Sequence, residues 1–260
     1  MNYKVFSKNY ENSLRKEYQG RNSEYSFGTR AIEGGPSHVA IICDGNRRWA
    51  NENGVSVEEG HAVGAENVMR LVERAGELGI KTLTVWVMDT KNFKKRSKSE
   101  IRNLIKLFLF YAMRFKREYL SEDIRFRHLG ARELLPKRLQ KIIRELEQET
   151  AHKQQATLNV AFNYGGRDEL VRMVKKIVED GVDPADIDVE LLSNYLDTKG
   201  QTDPDMIIRT GKDQRLSGFM PWQSEPSELF FPNYYFPEFT PDRFEEVVKE
   251  FPSRNRRFGA

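Results

Sequence analysis

Two stretches of the chain place acids and guanidinium groups at the end of a short apolar run. In His38-Val-Ala-Ile-Ile-Cys-Asp-Gly-Asn-Arg-Arg-Trp49 the run gives way at once to Asp44, Gly45, Asn46, Arg47 and Arg48. In Asp205-Met-Ile-Ile-Arg-Thr-Gly-Lys-Asp-Gln-Arg-Leu-Ser217 it gives way to Arg209, Lys212, Arg215 and Ser217. Guanidinium groups and the amides of a helix start suit a phosphate, and glycine lets backbone approach it closely. A carboxylate beside such groups suits magnesium, which takes one or two carboxylates together with substrate oxygens. Two basic clusters of this kind imply two phosphate groups, and so two phosphorylated substrates. Each also has a plainer reading, a polar turn capped by Asp44 and a solvated charged loop, and the residues alone leave both open. His61, which opens a helix near the first cluster, is a further candidate, although a lone histidine is more often structural.

The elements that must position these residues can be read from periodicity. Val39 to Cys43, Thr82 to Met88, Ile124 to Leu129, Thr157 to Phe162 and Met206 to Ile208 read as strands. His61 to Leu78, closed by Gly79, reads as an amphipathic helix, as do Pro136 to His152 and Asp168 to Glu179. Ser97-Lys-Ser-Glu100 is a capping box that opens a further long helix. Strand and helix alternating at this spacing predict a single α/β domain with a mainly parallel central sheet flanked by helices. In open sheets of this kind ligands bind beyond the carboxyl ends of the strands, which is where both basic clusters fall. Residues 1–35, rich in Asn, Ser, Lys, Glu and Gly, read as a polar tail outside the main domain, 36–260. The run Leu107-Phe-Leu-Phe-Tyr-Ala-Met113 is apolar around a whole helical circumference. It predicts either a helix buried between the sheet and its neighbours, or packed in a dimer, or one with a face lining a hydrocarbon cavity.

Composition narrows the function classes. A formal net charge of +3, from 42 basic and 39 acidic residues, argues against nucleic acid as the main partner. The single cysteine, Cys43, excludes an internal disulfide framework and fits a reducing cytoplasm. The N-terminus is too polar for a signal peptide, and the greasiest window, Leu104 to Met113, is too short to span a bilayer. The Walker pattern is absent, no Gly-x-Gly-x-x-Gly follows a strand, and the four histidines lack zinc-site spacing.

Taken together, these segments resemble the cis-prenyltransferases of the undecaprenyl diphosphate synthase type. The resemblance rests on His38 to Ala50, on Gly60-His61 with Gly64, and on Asn159-Val-Ala-Phe-Asn-Tyr-Gly-Gly-Arg167. It continues through Asp205 to Phe231, including Trp222-Gln223 and Glu228-Leu-Phe-Phe231, to Arg256-Arg-Phe-Gly259. It implies a parallel-sheet α/β fold with a hydrophobic tunnel between sheet and helices, usually as a homodimer. It also implies magnesium-dependent addition of isopentenyl diphosphate to an allylic diphosphate, forming a cis double bond. On this resemblance Asp44 and Glu228 hold the metal, and Gly45, Asn46, Arg47, Arg48, Trp49, His61 and Arg96 (or Lys95 in its place) serve the allylic diphosphate. Arg209, Arg215 and Ser217 hold isopentenyl diphosphate, with Arg257 reaching across a dimer. Asn92 stands where the family has a residue implicated in proton removal and substrate positioning. The expected setting is cytoplasmic, with peripheral membrane contact through the lipid product and no nucleic-acid partner.

This sequence departs from the family pattern at named positions. Asp89 replaces a small hydroxyl residue, Lys91 an acid, Phe93 a tryptophan, Val57 a diphosphate-binding arginine, and Asp213 a glutamate. Val87 and Phe162 are bulkier than common tunnel-wall residues, and no insertion stands between Glu100 and Ala131. The expectation is therefore a short- to medium-chain product. A branching condensation on the same fold is the alternative, as is a non-catalytic partner subunit, which would be expected to lack Asp44. An RNA- or anion-binding module using the same strand ends is the remaining class, and the near-neutral total charge speaks against it.

Overall fold

The structure, a computed structural model, describes residues 26–254. Strand β1 (His38–Ile42) is buried at all five positions, as a strand covered on both faces must be. In chain order there follow α1 (Asn46–Glu52), α2 (Val57–Glu77), β2 (Thr82–Asp89), α3 (Thr90–Lys95) and α4 (Lys98–Tyr119). Then come β3 (Ile124–Leu129), α5 (Lys137–Glu149), β4 (Ala156–Tyr164), α6 (Gly166–Glu179) and α7 (Val189–Tyr195). The remaining elements are β5 (Met206–Arg209), β6 (Glu228–Phe230) and α8 (Pro241–Lys249). The strands form one parallel sheet in the order β3-β4-β2-β1-β5-β6. The order reverses direction between β1 and β5, and Ile42 pairs with Arg209 there. This switch point opens a crevice beyond the carboxyl ends, where Asp44 and the chain after Arg209 emerge.

Most strands fall where periodicity puts them, and the helix starts differ. Helix α2 begins at Val57, four residues before His61, because Ser56 and Glu59 form a reciprocal capping box. Gly79, at φ +76°, closes it as expected. Ser97 caps α4 by accepting from the Glu100 amide at 3.2 Å. Helices α1, α3, α7 and α8 and strand β6 are additional to the elements read from sequence. The tail reading does not hold for the end of segment 1–35. The Gly28 and Arg30 amides donate to the Gly76 and Glu77 carbonyls, Phe27 and Ile32 pack on the core, and Arg30 pairs with Glu245 at 2.8 Å. Residues 1–25 lie outside the described residues.

Within one chain helix α4 is not buried all round, since Met113 is 53% exposed. Its opposite face lies against α2 through a buried ionic contact. The Glu66 carboxylate accepts from the Arg114 guanidinium at 2.5 Å and from the Tyr111 hydroxyl at 2.9 Å, and Arg114 also donates to Glu118 at 2.8 Å. Glu66 and Arg114 are 3% and 6% exposed, so removing one charge strands the other in low dielectric. Arg114→Ala is therefore expected to cost about 3 kcal/mol or more of unfolding free energy. Urea denaturation measures it, and a loss below about 1 kcal/mol, typical of an exposed pair, would contradict this account.

Candidate active site

Beyond the switch point, acids and guanidinium groups from two segments, 44–48 and 209–217, converge. Asp44 Oδ1 accepts from the Gly45 amide at 2.7 Å, and Oδ2 accepts from Arg209 at 2.8 Å and lies 3.2 Å from Arg48. Asp213 Oδ2 meets Arg48 at 3.3 Å and Arg209 at 3.4 Å, while Oδ1 accepts from Arg215 at 2.9 Å. Arg209 is buried at the end of β5 and also donates to Ser217 Oγ at 2.7 Å and to the Arg215 carbonyl. Its Nε is buried with no partner among the described residues.

Backbone geometry brings these groups close. Gly211, at φ +91°, lies so near that a Cβ would sit 2.9 Å from an Arg48 nitrogen and 3.0 Å from Asp44. Lys212 and Ser217 also have positive φ, at 66° and 55°. Non-glycine residues hold such angles only where their surroundings over-determine them, and such residues gather at functional sites.

A second set of cations faces His61. The Arg96 guanidinium lies 3.4 Å from His61 Nε2 and pairs with Glu100 at 3.0 Å. Burial, reinforced by Arg96 and Arg47, lowers the His61 pKa to about 4. The ring is thus neutral near pH 7 and accepts from Arg96. Burial and the nearby Arg47 charge also lower the pKa of Arg96, against the opposing pull of Glu100 and Asp44. Of the two expected alternatives, Arg96 is the one turned to this site, whereas Lys95 is exposed. Asn46 Nδ2 donates to the Cys43 carbonyl at 3.0 Å, and its buried Oδ1 has no partner among the described residues. That amide rests on α2 at a glycine, since a Cβ on Gly64 would fall 2.2 Å from Oδ1.

An apolar cavity starts beside these residues. Cys43, Asn46 and His61 line it together with Gly64, Ala65, Val68 and Met69 of α2. Across from them stand Leu104, Leu107, Phe108, Tyr111, Ala112 and Phe115, at the 3–4-residue spacing of one face of α4. The sheet contributes Val85 and Val87, then Leu158, Val160 and Phe162, whose alternation puts each set on one face. Phe108 and Phe162 meet with ring centroids 4.8 Å apart and narrow one side of the cavity. Of the two readings of Leu107 to Met113, the cavity-lining one describes its inner face.

The remaining candidates are placed as follows. Asn92 is exposed on α3, and its carbonyl accepts from the Arg96 amide at 2.9 Å. Trp49 lies half-buried on α1. Asp89 caps α3 by accepting from the Lys91 amide at 2.6 Å, which accounts for an acid at that position. Arg257 lies outside the described residues. Glu228 is not brought to Asp44 within one chain. It pairs with Met206, which pairs with Val39, five positions before Asp44. At about 3.3 Å per residue this puts Glu228 roughly 16 Å away along the strand direction, toward the amino end of the sheet. Nor did Asp44 prove to be an N-cap, because Gly45 takes that place in α1 without a side-chain bond.

Magnesium fits the groups at the carboxyl end. Among the described residues no three His, Cys, Asp or Glu side chains form a metal cage. One carboxylate beside phosphate-binding guanidinium groups is nevertheless a donor set that this ion uses, with substrate oxygens completing it.

Two contributors were missed at sequence level. The Thr210 hydroxyl donates to the Asp44 carbonyl at 2.9 Å and accepts from its amide at 3.1 Å. The signal was its place directly after Arg209. The Tyr235 ring lies under Lys212 Nζ at 4.3 Å and Arg48 at 5.6 Å, and its hydroxyl donates to Glu52 at 2.5 Å. Nothing local marks Tyr235, which reaches the site only through tertiary packing.

Residues 42–259 match the model of a family described as "Putative undecaprenyl diphosphate synthase". The chain is 43% identical over 230 residues to the tritrans,polycis-undecaprenyl-diphosphate synthase (geranylgeranyl-diphosphate specific) of Pyrococcus abyssi, covering 86% of this chain and 87% of that one. It is 39% identical over 224 residues to the isoprenyl transferase of Fusobacterium nucleatum, covering 86% and 96%. The crystal structure of lavandulyl diphosphate synthase from Lavandula x intermedia, in complex with dimethylallyl diphosphate, is similar with a TM-score of 0.83 and 34% identity. That match covers 88% of this chain and 100% of the other.

Proposed function

Since the chain belongs to the undecaprenyl diphosphate synthase family of prenyltransferases, we propose that it adds isopentenyl diphosphate to an allylic diphosphate, with magnesium, forming cis double bonds. The observation that carries this reading is the junction of two unlike environments. Cationic clusters suited to two diphosphates stand at the mouth of a cavity whose walls are almost wholly apolar. A substrate with a charged head and a hydrocarbon tail matches both.

In the reaction the allylic carbon–oxygen bond breaks, the isopentenyl double bond attacks that carbon, and a proton leaves the isopentenyl unit. Magnesium, held by Asp44 and phosphate oxygens, would offset the charge developing on the leaving diphosphate. Arg47, Arg48 and Arg96 hold that diphosphate, with Gly45, Asn46, Trp49 and neutral His61 shaping its cradle. Arg209, Arg215 and Ser217 hold the second diphosphate, with Arg257 as a further contact, so that the reacting carbons meet as if in one molecule. Asn92, exposed on the helix after β2, serves substrate positioning and proton removal. The apolar walls exclude water from the electron-deficient allyl group.

Phe162, Phe108 and Val87 narrow the cavity and favour a short- to medium-chain product. Incubation with isopentenyl diphosphate, magnesium and geranyl, farnesyl or geranylgeranyl diphosphate, read by mass spectrometry, tests this. Products no longer than undecaprenyl diphosphate are expected, and Phe162→Ala is expected to move the distribution to longer ones. Incorporation with none of the primers would overturn the catalytic reading. Dolichol-length products from the wild type would overturn only the chain-length reading. A branching condensation is the second reading, favoured by the similarity to lavandulyl diphosphate synthase. NMR of the purified product separates a linear from a branched skeleton.

Among the described residues no helix is long and apolar enough to cross a membrane. Val171, Val174 and Val178 form a stripe along α6, 54%, 52% and 73% exposed. That unpartnered apolar stripe supports a homodimer, in which a second copy covers it.

A further inference from the structure

Asp213 lies among three guanidinium groups that the proposed function assigns to substrate diphosphates. Its contacts to Arg48, Arg209 and Arg215 span 2.9 to 3.4 Å and join the allylic cradle on α1 to the isopentenyl cradle after β5. Arg48, Arg209 and Arg215 bring three positive charges, and Asp44 and Asp213 return two negative ones. An arriving diphosphate offers more negative charge and more acceptor oxygens than a single carboxylate, and it bonds the same nitrogens. Asp213 is also placed to leave. Its side chain is 27% exposed, whereas that of Arg209 is 5% exposed, so the acid can turn to water while the buried guanidinium stays. Although burial opposes it, the three arginines lower the Asp213 pKa, so the carboxylate is ionised near neutral pH.

We propose that Asp213 is an internal counter-ion that stands in for a substrate diphosphate in the empty site, holding the two cradles together until diphosphate displaces it. The inference rests on the two-cradle reading of the proposed function. Asp213 is thus a positioning residue with a defined cost. It keeps the guanidinium groups oriented and weakens every diphosphate by the competition it imposes. A purely structural acid predicts the opposite sign, because its removal would let the arginines drift and weaken binding.

Isothermal titration of the full chain with inorganic diphosphate, without metal, separates the two. Asp213→Asn keeps the shape and removes the charge, and is expected to bind diphosphate about tenfold more tightly, roughly 1.4 kcal/mol. Asp213→Glu restores the charge and is expected to bind within about threefold of the wild type, under 0.7 kcal/mol. In turnover, Asp213→Asn is expected to lower KM for isopentenyl diphosphate and also kcat, as product diphosphate leaves more slowly. Unchanged or weaker diphosphate binding by Asp213→Asn would overturn the counter-ion role. Equal binding by wild type and Arg209→Ala would overturn the cradle assignment beneath it.

Discussion

Asp44→Asn is expected to lower kcat by roughly three orders of magnitude, a loss of about 4 kcal/mol of transition-state stabilisation. The substitution preserves size but keeps only one of the two oxygens, so either the Gly45 amide, bonded to Oδ1, or Arg209, bonded to Oδ2, loses its acceptor. It removes the carboxylate proposed to hold magnesium, which sits directly at the end of β1 and is bonded to the guanidinium from β5. Losing one preorganised group that stabilises developing charge costs about 100- to 1,000-fold, and losing the metal's neutralisation of the leaving group adds to it. Stability should change little, because the Asp44 side chain is 32% exposed and Arg209 keeps Asp213, Ser217 and the Arg215 carbonyl. Magnesium-dependent incorporation of labelled isopentenyl diphosphate measures the effect, with thermal unfolding as the control for folding. A variant retaining a tenth of wild-type activity would show that Asp44 does not hold the metal.

How much of this was legible in the sequence follows from the range of the interactions involved. The end of β1 was readable because the apolar run Val39 to Cys43 and the abrupt polar run after it are contiguous. The second cluster was readable for the same reason, since Arg209, Lys212, Arg215 and Ser217 lie within nine positions. That Asp213 bridges to Arg48, 165 positions away, is a property of strand order. Parallel pairing of β1 with β5 sets the two loops side by side, and no local pattern encodes that neighbour. Glu228 failed for the converse reason. It shares a sequence signature with Arg209, but the register Met206↔Glu228 fixes it at the other end of the sheet. Strand β6 has three residues, too few for periodicity to mark. The start of α2 was in the sequence as Ser56-x-x-Glu59, and was passed over because its first turn is polar. Segment 26–35 read as tail by composition, yet it is anchored by backbone bonds to the end of α2, which composition does not register.

Acidification from pH 7 to 4.5 is expected to remove several kcal/mol of folding stability, through groups the proposed reaction mostly does not use. Three histidines are held neutral by loss of solvent, two of them buried and His61 half-buried beside Arg96 and Arg47, each with its pKa lowered from 6.5 to about 4. They are His38, bonded to the Thr202 carbonyl and the Thr84 hydroxyl, His128, bonded to the Phe162 carbonyl, and His61. Between pH 6.5 and 4 the unfolded chain takes up protons at these sites and the folded chain does not. Their contribution is complete above the unfolded value and is lost as pH falls through that window, at about 2 kcal/mol each by pH 4.5. Glu169 works the other way. Burial, with Asp197 nearby, raises its pKa to about 7, so its protonation in the folded state offsets part of that loss over the same interval. Asp213 and Glu245, whose pKa values are lowered by paired cations against the opposing effect of burial, add to the loss as pH falls further. Against a typical total of about 5–15 kcal/mol, a net loss of this size brings the protein near unfolding at pH 4.5. Urea titrations at pH 7 and 4.5 measure the difference, and His128→Gln is expected to reduce it by about 2 kcal/mol, having one histidine fewer to charge. Equal stability at the two pH values would mean that these imidazoles are protonated in the native fold, and His61 would then face Arg47 and Arg96 as a third cation rather than as an acceptor.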